Sequence, residues 1–255
     1  MEKGQFGRLP VTGWLILLML PIAGIIFTGC AKNGGVCFST NGAIVQEVRN
    51  IPAFTRVDIQ NNVDLVLSTD TGMRVRVEAG QNIIGGITTI VDGGTLVIRN
   101  NNKCNWMRDY SKQIKVYIAT NKIWKIMYNG SGNISSTGTL KQDSINVEVW
   151  GGCGTIDLNL DVRLGIFSLN MGTVDFRLHG SAGITSVFSG DYGLYDARDL
   201  KTYYTYITNK GTNDCYVQAM IDLEATIASI GNIYYAGNPQ SFKIKITGTG
   251  KLLPL

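Results

Sequence analysis

A short glycine phrase recurs along the second half of the chain and constrains its fold more than any other feature. The phrase is a turn residue, any residue, a glycine, any residue and then usually an aliphatic residue. Its seven glycines are Gly132, Gly154, Gly172, Gly193, Gly211, Gly231 and Gly250, on average about 20 residues apart. A repeat of this length predicts a solenoid, in which each turn of the chain stacks only on its neighbours.

The residues that follow each glycine alternate between apolar and polar, as in a β-strand. Ile156, Leu158 and Leu160 would lie on one face of such a strand, with the polar residues between them on the other. The first position of the phrase holds only Gly, Asn, Asp or Ser, which favour a bend or bond their own turn. The pattern predicts a β-solenoid whose short strands are parallel from turn to turn. An antiparallel β-sandwich is the alternative, but its hairpins need not keep one period.

The N-terminal half is also rich in strands but less regular. Alternating apolar residues occur between Phe54 and Tyr128, separated by turn signals at Thr69–Gly72 and Asp92–Gly94. The stretch Asn100–Trp106 interrupts this alternation and is predicted to form a loop. Since the terminal repeats of a solenoid are atypical, we expect one all-β domain over residues 51–255.

The first 30 residues are typical of an export signal. Lys3 and Arg8 precede an apolar stretch from Trp14 to Phe27, which is short for a membrane span but suits a signal-peptide core. Cys30 follows small residues, as in a bacterial lipobox. We therefore predict a lipoprotein signal peptide over residues 1–29, lipidation of Cys30, and a tether and lead-in over residues 30–50. Ordinary secretion or an uncleaved anchor is the alternative.

Charge and cysteine usage narrow the possible partners. The formal net charge is +4, and the Lys and Arg residues are scattered, so nucleic acid is not expected as a partner. Four cysteines follow Cys30, without the spacing of metal ligands. Cys37 and Cys104 lie outside the regular repeats and could pair, whereas free thiols are the default expectation for all four, including Cys153 and Cys215.

Several strings in the chain resemble a known family. They are Phe54–Val57, Asp92–Ile98, the repeated glycine phrases and, most specifically, Ile230–Pro239. With these strings the chain resembles the auto-transporter adhesin "head GIN" domain family, exported β-helix proteins abundant in Bacteroidetes. The resemblance covers roughly residues 54–255. It implies a single-domain right-handed parallel β-helix on a cell envelope, and it implies no established activity.

The sequence offers little catalytic chemistry. His179 is the single histidine and is expected to be a solvated residue at a strand end, and no phosphate-binding loop or zinc motif occurs. Counting three residues beyond each glycine gives Asp157, Asp175, Asp196 and Asp214. If the turns stack, these carboxylates would form an outward column about 5 Å apart. The column could bind Ca²⁺ or supply an acid/base pair for polysaccharide cleavage.

The alternative to a chemical role for this column is neutralisation by neighbouring arginines. Arg177 and Arg198 lie two positions beyond Asp175 and Asp196, on the same predicted face. Pairing across turns would make the column a solvated ladder of charges. On this interpretation no cofactor or metal is expected.

Tyrosines provide a second possible binding surface. Tyr192, Tyr203, Tyr204 and Tyr206 cluster in two neighbouring repeats, and exposed aromatic residues commonly contact sugars or proteins. Tyr195 occupies an inward position and is expected in the core.

We therefore predict a non-catalytic cell-envelope lipoprotein, most simply in the outer membrane, acting in adhesion or surface binding. Its predicted partners are the membrane, through Cys30, and an unidentified glycan or protein. A carbohydrate-active β-helix enzyme that uses the aspartate column is one alternative. A periplasm-facing structural or stress-related scaffold is the other.

Overall fold

The strands alternate buried and outward residues as the sequence predicts. The structure is a computed structural model, and it describes residues 40–69, 74–105, 113–119 and 122–255. Cys30, Cys37, the signal segment and most of the tether therefore lie outside the described residues. The strands are β1 (Ile44–Arg49), β2 (Arg56–Asn61), β3 (Val63–Ser68), β4 (Arg74–Gly80), β5 (Ile87–Asp92), β6 (Thr95–Asn100), β7 (Ile114–Ala119), β8 (Lys125–Gly130), β9 (Ile134–Ser189), β10 (Tyr195–Asn209), β11 (Cys215–Ile227), β12 (Ile233–Ala236), β13 (Ser241–Ile246) and β14 (Leu252–Pro254). A short 3-10 helix spans Ile84–Gly86.

All fourteen strands belong to one sheet, which confirms the prediction of an all-β chain. The main path through the sheet runs β1-β4-β7-β3-β9-β10-β11-β12-β14. Among the described strands, the pairs β1–β4, β4–β7 and β5–β6 are antiparallel, and the other recorded pairs are parallel. The sheet is therefore mixed, and strict parallel stacking does not extend through the N-terminal half. The pair β5–β6 is a hairpin, and strands joined by a tight turn must be antiparallel, whereas β1–β4 and β4–β7 join strands that are distant in the chain.

Parallel pairing dominates the second half, where the partner residues lie 17 to 20 positions apart. Tyr195 pairs with Phe176 on β9 and with Cys215 on β11, and Cys215 in turn pairs with Ile233 on β12. β12 then pairs with β14. The register shifts after Asp196 and again beside Thr202, so the repeat is not perfectly constant.

The core contains the inward residues of successive strand passes. The rings of Phe167, Phe176 and Tyr195 form one aromatic cluster, with centroids 5.8 to 6.4 Å apart. Tyr195 is 3% exposed, so its prediction as a core residue is confirmed. Burying each large apolar side chain contributes about 1.5 to 3 kcal/mol, so a continuous stack of them is the main stabilising feature of such a fold.

The seven repeated glycines each lie close to the backbone of a neighbouring turn of the chain. A Cβ atom at any of them would lie 1.9 to 2.5 Å from a backbone carbonyl oxygen of that turn.

The turn residue two positions before each glycine was expected to bond its own turn, and Asn209 is an example. Asn209 is fully buried, accepts a hydrogen bond from Gly211 N at 2.9 Å and donates to Asn213 O at 3.0 Å. The expectation that these residues bond their own turn is confirmed there.

Lys103–Asn105 are the described part of a second compact unit, which comprises residues 1–39 and 103–107. Cys104 is disulfide-bonded. Because Cys153 and Cys215 are free, its partner lies outside the described residues. The expectation of free thiols is therefore confirmed at Cys153 and Cys215 and wrong at Cys104.

Candidate functional site

The predicted column of aspartates does not form. Asp196 on β10 lies beside Arg177 on β9 and Tyr216 on β11, not beside another aspartate. The error has a simple physical cause. The glycines are not evenly spaced, so a fixed count from each glycine reaches different positions of successive turns, and only the hydrogen-bond register defines which residues are neighbours.

Two of these aspartates belong to a different column, in which side chains accept backbone N–H groups of the next turn. Asp175 Oδ1 accepts from Leu194 N at 2.9 Å, and Asp214 Oδ1 accepts from Asn232 N at 2.8 Å. Three further members make the same kind of bond, at 2.7 to 2.9 Å: Asp64, Asn133 and Asn232. Each of these oxygens therefore has a structural role, and the bonds to the three aspartates are the stronger ones because their acceptors are charged.

Asp196 is neutralised by an arginine of its own strand. Arg198 Nε donates to Asp196 Oδ1 at 2.9 Å, and the guanidinium carbon lies 4.7 Å from the centre of the Tyr216 ring. The hydrogen bond from Arg198 lowers the pKa of Asp196, although burial opposes it. Arg177 forms no ion pair with any carboxylate in the described ranges. Neutralisation therefore occurs at Arg198, within one strand, and the predicted pairing across turns is wrong.

His179 lies within β9, between two carboxylates. Its Nε2 is 3.4 Å from Asp157 Oδ1, and its Nδ1 is 3.5 Å from Asp199 Oδ2. The side chain is 41% exposed, so it is partly solvated, but the expectation of a strand end is wrong. Within the described part of the chain, no group of three or more His, Cys, Asp or Glu side chains is arranged to hold a metal ion.

The four candidate tyrosines are all exposed, but one of them occupies a distinct setting. Tyr192 and Tyr203 are 60% and 57% exposed, and Tyr204 and Tyr206 about 40%. Tyr203 and Tyr204 are adjacent and yet both face solvent, because the register between β10 and β11 shifts between Thr202 and Tyr204. Tyr203 lines a groove of about 580 Å³ that does not include the other three. The bulge is therefore what turns this ring toward the groove, as bulges often re-aim side chains.

The groove crosses the surface of β9, β10 and β11. It is lined by Gln142, Asp161, Val162, Arg163, Ser181, Ala182, Gly183, Lys201, Tyr203 and Met220. Val162 and Ala182 are buried and form its floor. Arg163 lies 20 positions before Gly183, and Tyr203 lies 20 positions after it. Because Gly183 has no side chain, the groove is open between the side chains of Arg163 and Tyr203.

Charged side chains fix the walls of the groove. Arg163 donates two hydrogen bonds to Asp143, Nε to Oδ1 at 2.7 Å and Nη2 to Oδ2 at 2.9 Å. The hydrogen bonds from Arg163 lower the pKa of Asp143. Ser181 Oγ is 3.4 Å from Asp161 Oδ1. Lys201 pairs in register with Ser181, is exposed and lines the groove.

Sequence reasoning missed all of these groove residues except Tyr203. A signal was nevertheless available, because Asp143, Arg163, Gly183 and Tyr203 are spaced by 20 residues, as are Asp161, Ser181 and Lys201. Counting from the polar residues, and not from the glycines, would have predicted that they stack. What no count could show is that the side chains enclose an open groove.

Fold and site together define a class, an all-β repeat protein with an open surface groove lined by both polar and apolar residues. The family model described as "Putative auto-transporter adhesin, head GIN domain" matches residues 53–239. The chain therefore belongs to this family. No curated protein matches the chain.

Solved structures show the same fold at low sequence identity. A protein from Bacteroides fragilis titled a putative adhesin is 20% identical, with a TM-score of 0.73 over 84% of this chain and 97% of that one. A protein from Parabacteroides distasonis titled a putative lipid binding protein is 20% identical, with a TM-score of 0.61 over 85% and 98%. A putative adhesin from Parabacteroides merdae has 17% identity and a TM-score of 0.55 over 85% and 98%.

The described residues contain no helix with the length and apolar character needed to cross a membrane.

Proposed function

We propose that this protein is a non-catalytic adhesin of the cell envelope and that it binds a glycan chain in the groove beside Tyr203. The observation that carries the proposal is the groove itself, about 580 Å³ in volume and crossing several turns of the chain. Membership of the adhesin family supports the surface-binding role.

The chemistry of the groove suits a carbohydrate better than an apolar ligand. An exposed tyrosine ring offers an apolar face with a polar tip, which is how aromatic residues contact the faces of sugars. Around Tyr203 lie the guanidinium group of Arg163, bound to Asp143 by two hydrogen bonds, the ammonium group of Lys201 and the hydroxyl group of Ser181. A few fixed polar groups beside an aromatic surface are the usual features that orient a small ligand. A protein ligand remains the alternative occupant.

An enzymatic role receives less support from the described residues. The aspartates proposed as an acid/base pair are divided between two columns, and Asp175 and Asp214 are occupied by backbone amides. A carboxylate engaged in this way is poorly placed to transfer a proton to a substrate.

We further propose that residues 134–254 wind as a right-handed parallel β-helix of about 20 residues per turn. Parallel partners 17 to 20 positions apart from β9 to β14 support the winding, and the family resemblance supports its hand.

Export and anchoring complete the proposal. Cys30 would carry the lipid that holds the protein to the envelope, where two acyl chains or more give stable attachment. With the thiol of Cys30 acylated, Cys37 would remain as the partner of Cys104. The Cys30→Ala variant should lose labelling by a fatty-acid analogue and leave the membrane fraction or fail to mature. Labelled, membrane-bound Cys30→Ala protein would refute the lipid anchor.

The groove is tested by a glycan array probed with the full chain and three variants. Tyr203→Ala should weaken binding to the best glycan about tenfold, as expected when a central aromatic contact is lost. Ser181→Trp should block the groove without touching the core, since Ser181 is exposed. Tyr192→Ala is the matched control, because Tyr192 is as exposed but lies outside the groove. Equal loss in Tyr192→Ala and Tyr203→Ala, or no glycan bound at all, would refute the proposal.

A further inference from the structure

The last two strands in the chain, β13 and β14, lie at an open end of the sheet. Among the described strands, β13 has β11 as its one partner and β14 has β12 as its one partner. One side of each strand therefore presents backbone N–H and C=O groups that no described strand pairs. Such an edge is a template for a further strand.

The inward side chains of β13 form a layer of core that the described chain leaves about half exposed. Phe242, Ile244 and Ile246 pair in register with the fully buried residues Leu223, Ala225 and Ile227 of β11. They occupy core positions and are nevertheless 44% to 49% exposed. With Tyr235 and Leu252 they line a cleft of about 550 Å³. Contiguous apolar surface of this kind marks an interaction site more often than chance exposure does.

The two edge strands differ in what they can accept. β14 is three residues long and ends in Pro254, which has no N–H group to donate. β13 is six residues long and contains no proline. Strand addition is therefore favoured along β13.

The outward side chains of β13 favour a binding partner that carries negative charge. Lys243 and Lys245 lie on the outer face of this edge, with Lys251 near it. Lys243 is bound to Glu224 of β11, Nζ to Oε1 at 2.8 Å. Lys245 forms no ion pair with the described residues. An added strand with acidic residues on this face would gain favourable cross-strand pairs.

A second copy of this chain fits the edge poorly. If two β13 strands paired antiparallel with their apolar faces on one side, Lys243 of one copy would lie opposite Lys245 of the other, and like charges directly opposite destabilise a sheet. If β1 of another copy were added instead, its inward residues Glu47 and Arg49 would be buried against Phe242 and Ile244. Burying charge against apolar side chains is costly. The N-terminal segment, residues 1–39, fits no better, since it contains one acidic residue, Glu2, and three basic residues, Lys3, Arg8 and Lys32.

We propose that β13 binds an extended segment of a partner protein in which apolar residues alternate with acidic ones, and that this segment adds to the sheet as a further strand. Its backbone pairs with Ser241–Ile246, its apolar residues cover Phe242, Ile244 and Ile246, and its acidic residues face Lys243 and Lys245. Recognition through main-chain pairing with alternating side-chain pockets is an established mode of peptide binding.

The probe is a short labelled peptide of alternating valine and glutamate, tested by fluorescence anisotropy against the full chain in detergent. The peptide should bind the wild-type protein, and Ile244→Glu should weaken binding at least about tenfold by placing a charge among the apolar contacts. Ile90→Glu is the matched control, since Ile90 is exposed on another edge strand, β5, and should leave binding unchanged. Ile244 is already half exposed, so unchanged melting temperatures should show that both variants fold.

A charge exchange makes the test specific. Lys245→Glu should weaken binding of the valine–glutamate peptide and create binding of a valine–lysine peptide. Equal binding of both peptides by the wild-type protein, or binding of neither, would overturn the proposal. If sedimentation shows a wild-type dimer that dissociates in Ile244→Glu, the edge binds a second copy and the proposal is overturned. If peptide binding appears only after residues 1–39 are removed, the N-terminal segment occupies the edge and the proposal is overturned as well.

Discussion

Between β9 and β14 every recorded strand pair is parallel, and partner residues lie 17 to 20 positions apart. In the N-terminal half, three described pairs are antiparallel and other partners lie up to 69 positions apart. The two halves show that one continuous core can be built in two ways. One half repeats short-range contacts from turn to turn, and the other combines the β5–β6 hairpin with pairs of strands that are distant in the chain.

The edge strands β1 and β13 differ in the charge of their inward side chains. On β1 the inward residues Glu47 and Arg49 form an ion pair at 2.7 Å, which places charge where a further strand would have to pack. On β13 the corresponding inward residues are apolar. Inward charges on an edge strand are a known means of preventing edge-to-edge association. The β1 edge is therefore protected and the β13 edge is not.

The largest predicted effect tests the close contacts between turns in the repeat half. Gly172 has a φ of +118°, and a Cβ there would lie 2.5 Å from Gly152 O. Gly172→Val should lower the free energy of unfolding by about 3 kcal/mol or more, since backbone strain and overpacking add. Urea denaturation measures it. Gly85→Ala in the N-terminal half is the control, because no atom lies within 4 Å of its Cβ position. An unchanged Gly172→Val protein would mean that the turns are not in contact there.

A smaller effect tests the junction between the halves. Tyr128 of β8 is 1% exposed, and its hydroxyl oxygen lies 2.6 Å from the carbonyl oxygens of Gly132 and Cys153. Burial raises the pKa of this phenol, so the group remains a neutral donor at all working pH values. Tyr128→Phe should cost about 1 to 3 kcal/mol in unfolding free energy, because a buried acceptor loses its donor. Tyr192→Phe, at an exposed position, should change stability by less than about 0.5 kcal/mol. Equal effects would argue against a hydrogen bond at the junction.

A test at the edges should change association more than stability. The double variant Glu47→Val/Arg49→Val would give β1 an apolar inward face like that of β13, and it removes an exposed ion pair worth at most about 1 kcal/mol. We expect self-association that grows with concentration in sedimentation velocity experiments. Gln46→Val on the outward face of the same strand is the control and should remain as dispersed as the wild type. If the two variants sediment alike, inward charge does not protect this edge.

The smallest predicted effect concerns the ion pair of Asp196 with Arg198. The hydrogen bond from Arg198 lowers the pKa of Asp196 in the folded protein. The ion pair therefore stabilises the protein above the unfolded-state pKa of about 3.9, and this stabilisation is lost as the pH falls through the folded-state pKa. Asp196→Asn should cost less than about 1 kcal/mol at pH 7, because the pair is partly exposed. The difference from the wild type should disappear between about pH 5 and pH 2. Asp92→Asn, at an exposed position on β5, should show no such change. A difference that persists at pH 2 would show that charge is not the cause.

Much of the fold could be predicted from local patterns. Alternation predicted strands that do form, as at Ile156, Leu158 and Leu160, because burial on one face of a strand requires that pattern. The glycine phrase predicted the length of the repeat. The hairpin β5–β6 has its turn signal at Asp92–Gly94, but its antiparallel pairing was not recognised in a chain expected to be parallel.

The site was less predictable. Tyr203 was a candidate on its residue type, but its place in the groove depends on a register shift beside Thr202. Asp157, Asp175 and Asp196 were grouped by counting from glycines and lie in different surroundings. The error is physical in origin, since a single inserted or missing residue in a turn changes which side chains become neighbours.

By itself, the sequence determined the strand content, the repeat of about 20 residues and the inward apolar residues, because these follow from the two-residue period of a strand and from the steric demands of the repeated glycines. Only the tertiary structure decided the register between turns, the opening between Arg163 and Tyr203, and the contrast between the edges at Glu47 and Ile244. These features depend on which strands meet and which end without a partner. Such contacts join residues distant in the chain, and no local pattern encodes them.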